Sequence, residues 1–222
     1  MTIIVSSPSS NWDYEYLKSA VASWIHRTTL TSEIIDFITL AEMEINSDFR
    51  TRLMETDNTL SLVSGTREVE LPTRYIEPIS LDLVVSGQEN EALTYVQPQQ
   101  LSVFEGTGAS TRPSYWTVNG ANIEFPNLAD QTYTLSFRML RGYDIAATST
   151  NTLLDAYPNV YLYASLIQAA MWMRDLQLEQ TYRNAYEALR IKISRKEGRS
   201  KALTNLRTDL PSNRSTNNIL TG

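Results

Sequence analysis

The stretch Ser114-Tyr115-Trp116-Thr117-Val118-Asn119-Gly120-Ala121-Asn122-Ile123-Glu124-Phe125 alternates apolar and polar residues on both sides of an Asn-Gly pair. Asn-Gly accepts the positive φ angles of a type I′ turn, so the sequence predicts a β-hairpin here. Outward from it the same period of two recurs. Tyr133, Leu135, Phe137 and Met139 share one face of a strand over 132–140, and residues 60–63, 68–71 and 79–85 alternate as half-buried strands do. Gly65 and Ser86-Gly87-Gln88 supply turns, and residues 92–96 can return antiparallel. Residues 98–105 read as a short helix, and Gly106-Thr107-Gly108-Ala109-Ser110 as a loop. Together these predict a small antiparallel β domain, a sandwich or partial barrel.

Helical periodicity flanks it on both sides. Asn11 or Asp13 can cap a first helix to about Arg27, with Leu17, Val21, Trp24 and Ile25 on one face. Thr31 or Ser32 opens a second, with Glu33 in its first turn and Ile34, Ile38, Ala41, Ile45, Phe49 and Leu53 as its stripe. After a polar loop from Asp144 to Asp155, Tyr157-Pro158 starts a helix apolar on most of its circumference, Trp172 included, which predicts burial. A further amphipathic helix from Leu178, with Tyr182, Ala185, Tyr186, Leu189 and Ile193 on one side, is expected to end at Gly198. The fold class is α+β: N-terminal helices (1–58), an inserted β domain (59–142), C-terminal helices packing on the first pair (143–198), and an extended arm (199–222), flexible or ordered by a partner.

Composition bounds the chemistry. With 222 residues, 42% of them hydrophobic, the chain can bury a sizeable core. It has no cysteine and a single histidine, His26, which excludes disulfides, thiolate chemistry and a His pair for zinc. No apolar run is long enough for a transmembrane helix, and the first residues lack the pattern of a signal peptide. Charge is unevenly distributed. Residues 1–182 hold 10 Lys/Arg against 22 Asp/Glu, a net of −12, whereas residues 183–222 hold 9 against 3, a net of +6. A basic end on an acidic body suits docking on an acidic partner, another copy included, better than nucleic-acid binding, because the basic stretch has no interleaved aromatics.

Few residues point to catalysis or ligand binding. Gly106-Thr107-Gly108 lacks the ending of a phosphate loop. His26, at a helix end, reads as a C-terminal cap. Asp36, Glu42, Glu44, Asp48 and Arg52 fall on the second helix's polar face, expected to be solvated. Two competing functions use residues of these kinds: a carbohydrate-binding or tail-fibre attachment module with Trp12 and Trp116 as an exposed platform, and a cell-wall hydrolase using carboxylates of the Glu42, Glu44, Asp48 face. The expectation is that the chain is not an enzyme and has no catalytic residue, metal or cofactor.

The order of elements carries a resemblance. Two helices, then a β insertion opening with Leu71-Pro72-Thr73-Arg74-Tyr75-Ile76-Glu77-Pro78, then residues 112–125 around the Asn-Gly, then Tyr133-Thr134-Leu135, then a helical pair from Tyr157-Pro158 resembles the head-to-tail adaptor (connector) proteins of tailed bacteriophages, nearest the tail tubular protein A type of short-tailed phages. The resemblance implies a virion protein of the tail, below the portal vertex and assembled in the host cytoplasm. Its copies would form a ring, usually of twelve, joining portal to tail nozzle and lining the DNA channel. The implied partners are the portal protein, the tail nozzle or tail tubular protein B type, neighbouring adaptor copies, and double-stranded DNA passing without sequence-specific binding. Tail fibres are a further candidate; no membrane is implied. On this reading the arm docks the portal or a neighbour through Leu203, Leu206, Leu210, Ile219 and Leu220, with Lys201, Arg207 and Arg214 steering the encounter.

Overall fold

A computed structural model describes residues 12–27, 29–87, 89–106 and 110–205, with side chains as far as Lys196. The chain is α+β. Helices α1 (Tyr14–Trp24) and α2 (Thr31–Asp48) precede eight strands, and α3 (Ile145–Thr148), α4 (Thr152–Ala156), α5 (Pro158–Met173) and α6 (Leu176–Asn205) follow them.

Local chemistry sets the helix ends. Asp13 caps α1, its Oδ1 accepting the Tyr16 N–H at 2.7 Å. At the other end His26 adopts a left-handed φ of 54°. Its N–H bonds the Ser23 carbonyl and the Arg27 N–H bonds that of Ala22, the paired bonds of a Schellman cap. His26 therefore caps the helix as expected, through its backbone. Arg174, at φ 60°, ends α5 with the Asp175 N–H on the Ala170 carbonyl, and Asp175 Oδ1 then accepts the Gln177 and Leu178 N–H groups that open α6. Two residues thus reverse the chain.

The helices share one core. Ile34, Ile38, Ala41 and Ile45 of α2 meet Leu17 and Val21 of α1, Val160 and Leu166 of α5, and Tyr186 and Ile193 of α6. Helix α5 runs antiparallel to α2: the Trp172 ring meets Phe37, with centroids 6.0 Å apart, and Gln168 donates to Glu44. Three expectations need correcting. Trp172 is 48% exposed, at the rim of the bundle rather than inside it. The expected polar loop at 144–155 contains α3 and α4, capped by Asp144 and Asn151 and burying Leu153 and Leu154. Helix α6 continues through Gly198 to Asn205. One interior glycine costs about 1 kcal/mol relative to alanine, which the helix-favouring Arg195-Lys196 and Lys201-Ala202-Leu203 around it can offset.

The strands are β1 (Glu55–Leu62), β2 (Glu68–Glu70), β3 (Tyr75–Leu83), β4 (Glu91–Ala92), β5 (Thr94–Tyr95), β6 (Tyr115–Asn119), β7 (Asn122–Glu124) and β8 (Tyr133–Arg141). They form two four-stranded sheets, ordered β1-β8-β3-β4 and β2-β7-β6-β5. The pairing is antiparallel except for β5 with β6. Side chains between the sheets, Leu62, Leu83, Trp116, Ile123, Phe125 and Phe137 among them, make a second core, and neither sheet closes into a barrel. At the predicted hairpin Asn119 pairs with Asn122, so the loop residues are Gly120 and Ala121. Only Gly120 takes a positive φ, 58°, which is the type II′ requirement rather than the expected type I′.

Strand β8 touches both cores. Tyr133, Leu135, Phe137 and Met139 face the sandwich as predicted, while Leu140 belongs to the helical core. Phe137 is fully buried between Tyr75 and Trp116, with ring centroids 6.1 and 5.9 Å away. Phe137→Ala is expected to cost about 3–5 kcal/mol, measured as a fall in the urea midpoint at unchanged slope.

Candidate assembly surface

The β domain leaves the helices after α2 and returns before α3, and one face of α2 holds the returning chain. Glu42 and Asn46, spaced at i and i+4, project from the same side of α2, and Arg50 follows just beyond its end at Asp48. Glu42 Oε1 accepts the Ile145 N–H at 2.8 Å. Asn46 accepts the Tyr143 N–H at 2.8 Å and donates to the Tyr143 carbonyl at 3.1 Å. Arg50 Nε donates to Glu77 of β3 at 2.7 Å. From the other side Arg74, at φ 60°, accepts the Gly142 N–H on its carbonyl, while its guanidinium donates to the Tyr143 carbonyl and pairs with Asp144. Arg74 and Glu77 belong to the segment Leu71-Pro72-Thr73-Arg74-Tyr75-Ile76-Glu77-Pro78, so that sequence works as a clasp between strand and bundle.

Glu42 departs most from expectation. It is only 7% exposed rather than solvated. Tyr161 Oη donates to the same Oε1 at 2.9 Å, and Asn151 donates to Tyr161 Oη at 2.8 Å. Burial pushes the Glu42 carboxyl above the usual carboxylate range, against the opposing effect of the Ile145 and Tyr161 hydrogen bonds. Burial and the neighbouring Glu42 charge likewise push the Tyr161 phenol up. Of the other carboxylates on this helix, Glu44 is half-buried beside Gln168 and Arg183, and Asp48 accepts the phenol of buried Tyr186 at 3.1 Å. Asp36 is exposed, as expected; Arg52 is exposed too but lies beyond the end of α2, in a 3-10 turn at Arg52–Met54, rather than on the helix.

The proposed sugar platform is not formed. Trp116 is 2% exposed in the β core, its indole N–H donating to the Leu93 carbonyl at 3.2 Å. Trp12 is half-buried, edge-on to Tyr16 with centroids 4.8 Å apart. A tryptophan at a strand position fits an inward or an outward register equally well, and nothing in the local pattern distinguished them. Among the described residues no cluster of His, Asp and Glu could hold a metal ion, and no helix is long and apolar enough to cross a membrane.

The basic end is built on α6. Its first half packs on the bundle, with Tyr186 edge-on to Phe49 and Ile193 buried. Arg183 and Arg190 pair within the helix, with Glu179 and Glu187. Lys192 and Arg195 have no carboxylate partner among the described residues. They border an open groove of about 650 Å³ between Tyr157 and the α6 turn carrying Ala188 and Ile191. Lys196 Nζ donates to Tyr157 Oη at 2.9 Å at one end of it. The groove has an apolar floor and a cationic rim. Beyond Ile193 the helix backbone continues to Asn205, about 18 Å at 1.5 Å per residue. Of the docking residues expected from the sequence, Lys201 and Leu203 fall on this last stretch of α6, where side chains are not described. Leu206, Arg207, Leu210, Arg214, Ile219 and Leu220 lie outside the described residues, as do residues 107–109 of the expected loop at 106–110.

A helical bundle carrying an inserted β-sandwich and ending in a long basic helix defines the fold as α+β. The sequence matches the family model described as SU10 adaptor protein over residues 13–209, nearly the whole described fold, and the chain belongs to that family of phage adaptors, structural proteins of the virion. No curated protein matches the chain.

The Glu42 environment predicts a pH dependence. Because its folded pKa is raised, the folded state binds this proton more tightly than the unfolded chain does. Its stabilising contribution is complete below the unfolded value of about 4.3 and is lost as pH rises toward the folded value. Glu42→Gln keeps an oxygen acceptor for both donors and removes that loss, so urea midpoints should show it gaining on the wild type between pH 4 and pH 7. Glu42→Ala leaves the Ile145 N–H and the Tyr161 hydroxyl without this acceptor, at an expected cost of about 2–4 kcal/mol.

Proposed function

We propose that the chain is the head-to-tail adaptor of a short-tailed phage. Its copies close into a ring beneath the portal, join it to the tail nozzle and line the channel through which DNA passes. The observation that carries this reading is the SU10 adaptor match along residues 13–209. The charge layout supports it. A ring subunit needs two different surfaces that complement each other head to tail, and the acidic body and basic end form such a pair. A predominantly acidic body is also compatible with a channel wall that does not hold phosphates. In this reading the protein catalyses nothing, and no specific observation favours a sugar-binding or hydrolytic role.

The arm is the docking element of this reading. Lys201 and Leu203 extend α6, and Leu206, Arg207, Leu210, Arg214, Ile219 and Leu220 follow in sequence. Ordering such a segment costs roughly 1–2 kcal/mol of backbone entropy per residue, which these few apolar side chains offset only when a partner groove receives them. The basic residues then govern the salt-sensitive on-rate and the apolar ones the off-rate.

Cryo-electron microscopy of purified portal mixed with the chain should show an added ring of copies; a portal with no added density, or a single bound copy, would contradict the proposal. Truncation after Asn205 keeps every described element, so the body should fold but fail to load onto portals. Loading equal to that of the full chain would remove the arm from the mechanism. Peptidoglycan or nucleoside triphosphate hydrolysis abolished by one carboxylate substitution would refute the non-enzymatic reading.

A further inference from the structure

Helix α2 carries Glu33, Asp36, Glu42, Glu44 and Asp48 and no lysine or arginine. Glu42, Glu44 and Asp48 are engaged within the subunit, by the Ile145 N–H, Arg183 and Tyr186. Asp36 is exposed. The helix turns Ile34, Ile38, Ala41 and Ile45 to the core, and at 3.6 residues per turn Asp36, Leu40 and Met43 point away from it. Leu40 is 49% and Met43 65% exposed. Single exposed apolar side chains are ordinary on a protein surface. These two share a ridge with Asp36, at i, i+4 and i+7, the arrangement by which a helix lays itself into a groove.

Helix α6 offers a groove with the matching spacing. Ala188, Ile191, Lys192 and Arg195, at i, i+3, i+4 and i+7, line the open groove beside Tyr157, and Ile191 is 46% exposed there. Ridge and groove each run about 10 Å along their helices at 1.5 Å per residue. Laid antiparallel, they place Asp36 against Arg195, Leu40 against Ile191 and Met43 against Ala188, so that charge meets charge and apolar meets apolar along the whole strip. Laid parallel, the same strips set Asp36 against Ala188 and Met43 against Arg195. Charge therefore selects the antiparallel crossing. One subunit cannot make it with itself. Within the subunit Arg183 meets Glu44 and Tyr186 meets Asp48, so α2 and α6 run parallel, and the ridge points away from the bundle.

We infer that the Asp36-Leu40-Met43 ridge of one copy lies antiparallel in the α6 groove of a second copy. Ridge and groove are different surfaces, so the contact is heterologous and repeats from copy to copy. The inference rests on the ring reading and names the contact between ring neighbours.

The chain has no cysteine, so Met43→Cys and Ala188→Cys, both at exposed positions, can be cross-linked selectively. The two single variants are mixed, loaded onto purified portals and treated with a bis-maleimide. The mixture should give a covalent dimer that neither variant gives alone. Copies that load without forming the mixed dimer would overturn the inference and leave the ring reading standing. Portals that take up no copies of the wild-type chain would overturn the ring reading and the inference with it. A dimer from Met43→Cys alone would show a symmetric contact, and cross-linking of Ala188→Cys to the portal would show a different occupant of the groove; either would overturn the inference. A charge exchange tests the pairing itself. Arg195→Asp should lower loading at least ~10-fold by setting like charges against each other, and adding Asp36→Arg to the same chain should restore it. Unchanged loading of the single variant, or no restoration in the double, would also overturn the inference.

Discussion

The Glu42 and Asn46 side chains of α2, with Arg50 just beyond its end, hold together two cores that hydrophobic packing keeps separate. One core lies among the helices and the other between the two sheets. The chain crosses between them once in each direction, through residues 49–54 and through Gly142–Ile145. Apolar continuity at the crossing comes mainly from Met54 and Leu140, which join the helical core from the ends of the strand region. The backbone of the returning segment would otherwise carry unpaired polar groups at a partly buried junction, and the α2 side chains and Arg74 supply their partners. Position and orientation of the sandwich on the bundle therefore depend on hydrogen bonds with fixed geometry.

How far the sequence discloses this depends on whether a residue's local pattern differs between its possible environments. The period of two through β3, β6, β7 and β8 and the all-round apolarity of α5 have few alternative readings, and those elements lie close to where the patterns place them, whereas α2 ends at Asp48, before Leu53 of its expected stripe, and β1 starts at Glu55, five residues before the strand read at 60–63. The polar face of α2 has two. A carboxylate turned to water and one turned to a backbone N–H of a returning segment have the same spacing in sequence, so Glu42 reads as solvated although it is buried. The same ambiguity misplaces the tryptophans. Trp172 reads as buried and lies at the rim, whereas Trp116 was a candidate for the surface and fills the β core. The stretch between β8 and α5 looks like a polar loop because its caps, Asp144 and Asn151, are also loop residues. At Gly198 a common stop signal is overridden by the helix formers on both sides.

For an adaptor the arrangement has a mechanical consequence. A structural protein of the virion bears load across its domains, and a junction built of directional bonds resists sliding more than an apolar contact of the same size. The segment Leu71-Pro72-Thr73-Arg74-Tyr75-Ile76-Glu77-Pro78 that carries the family resemblance supplies two members of this junction, Arg74 and Glu77. Its contribution is to the relative placement of the domains. The basic second half of α6, where Lys192 and Arg195 flank an apolar groove, lies apart from this junction.

The claim that the α2 face makes bundle and sandwich one cooperative unit is tested most directly by following unfolding of each part separately. In a background with Trp12, Trp24 and Trp172 replaced by phenylalanine, Trp116 fluorescence reports the sandwich, while helical circular dichroism reports chiefly the bundle. With the clasp intact the two urea transitions should coincide. With Glu42→Ala and Asn46→Ala added they should separate, the two parts unfolding at different midpoints. Coincident transitions at an unchanged midpoint in the doubly substituted protein would show that packing alone joins the domains and would contradict the account.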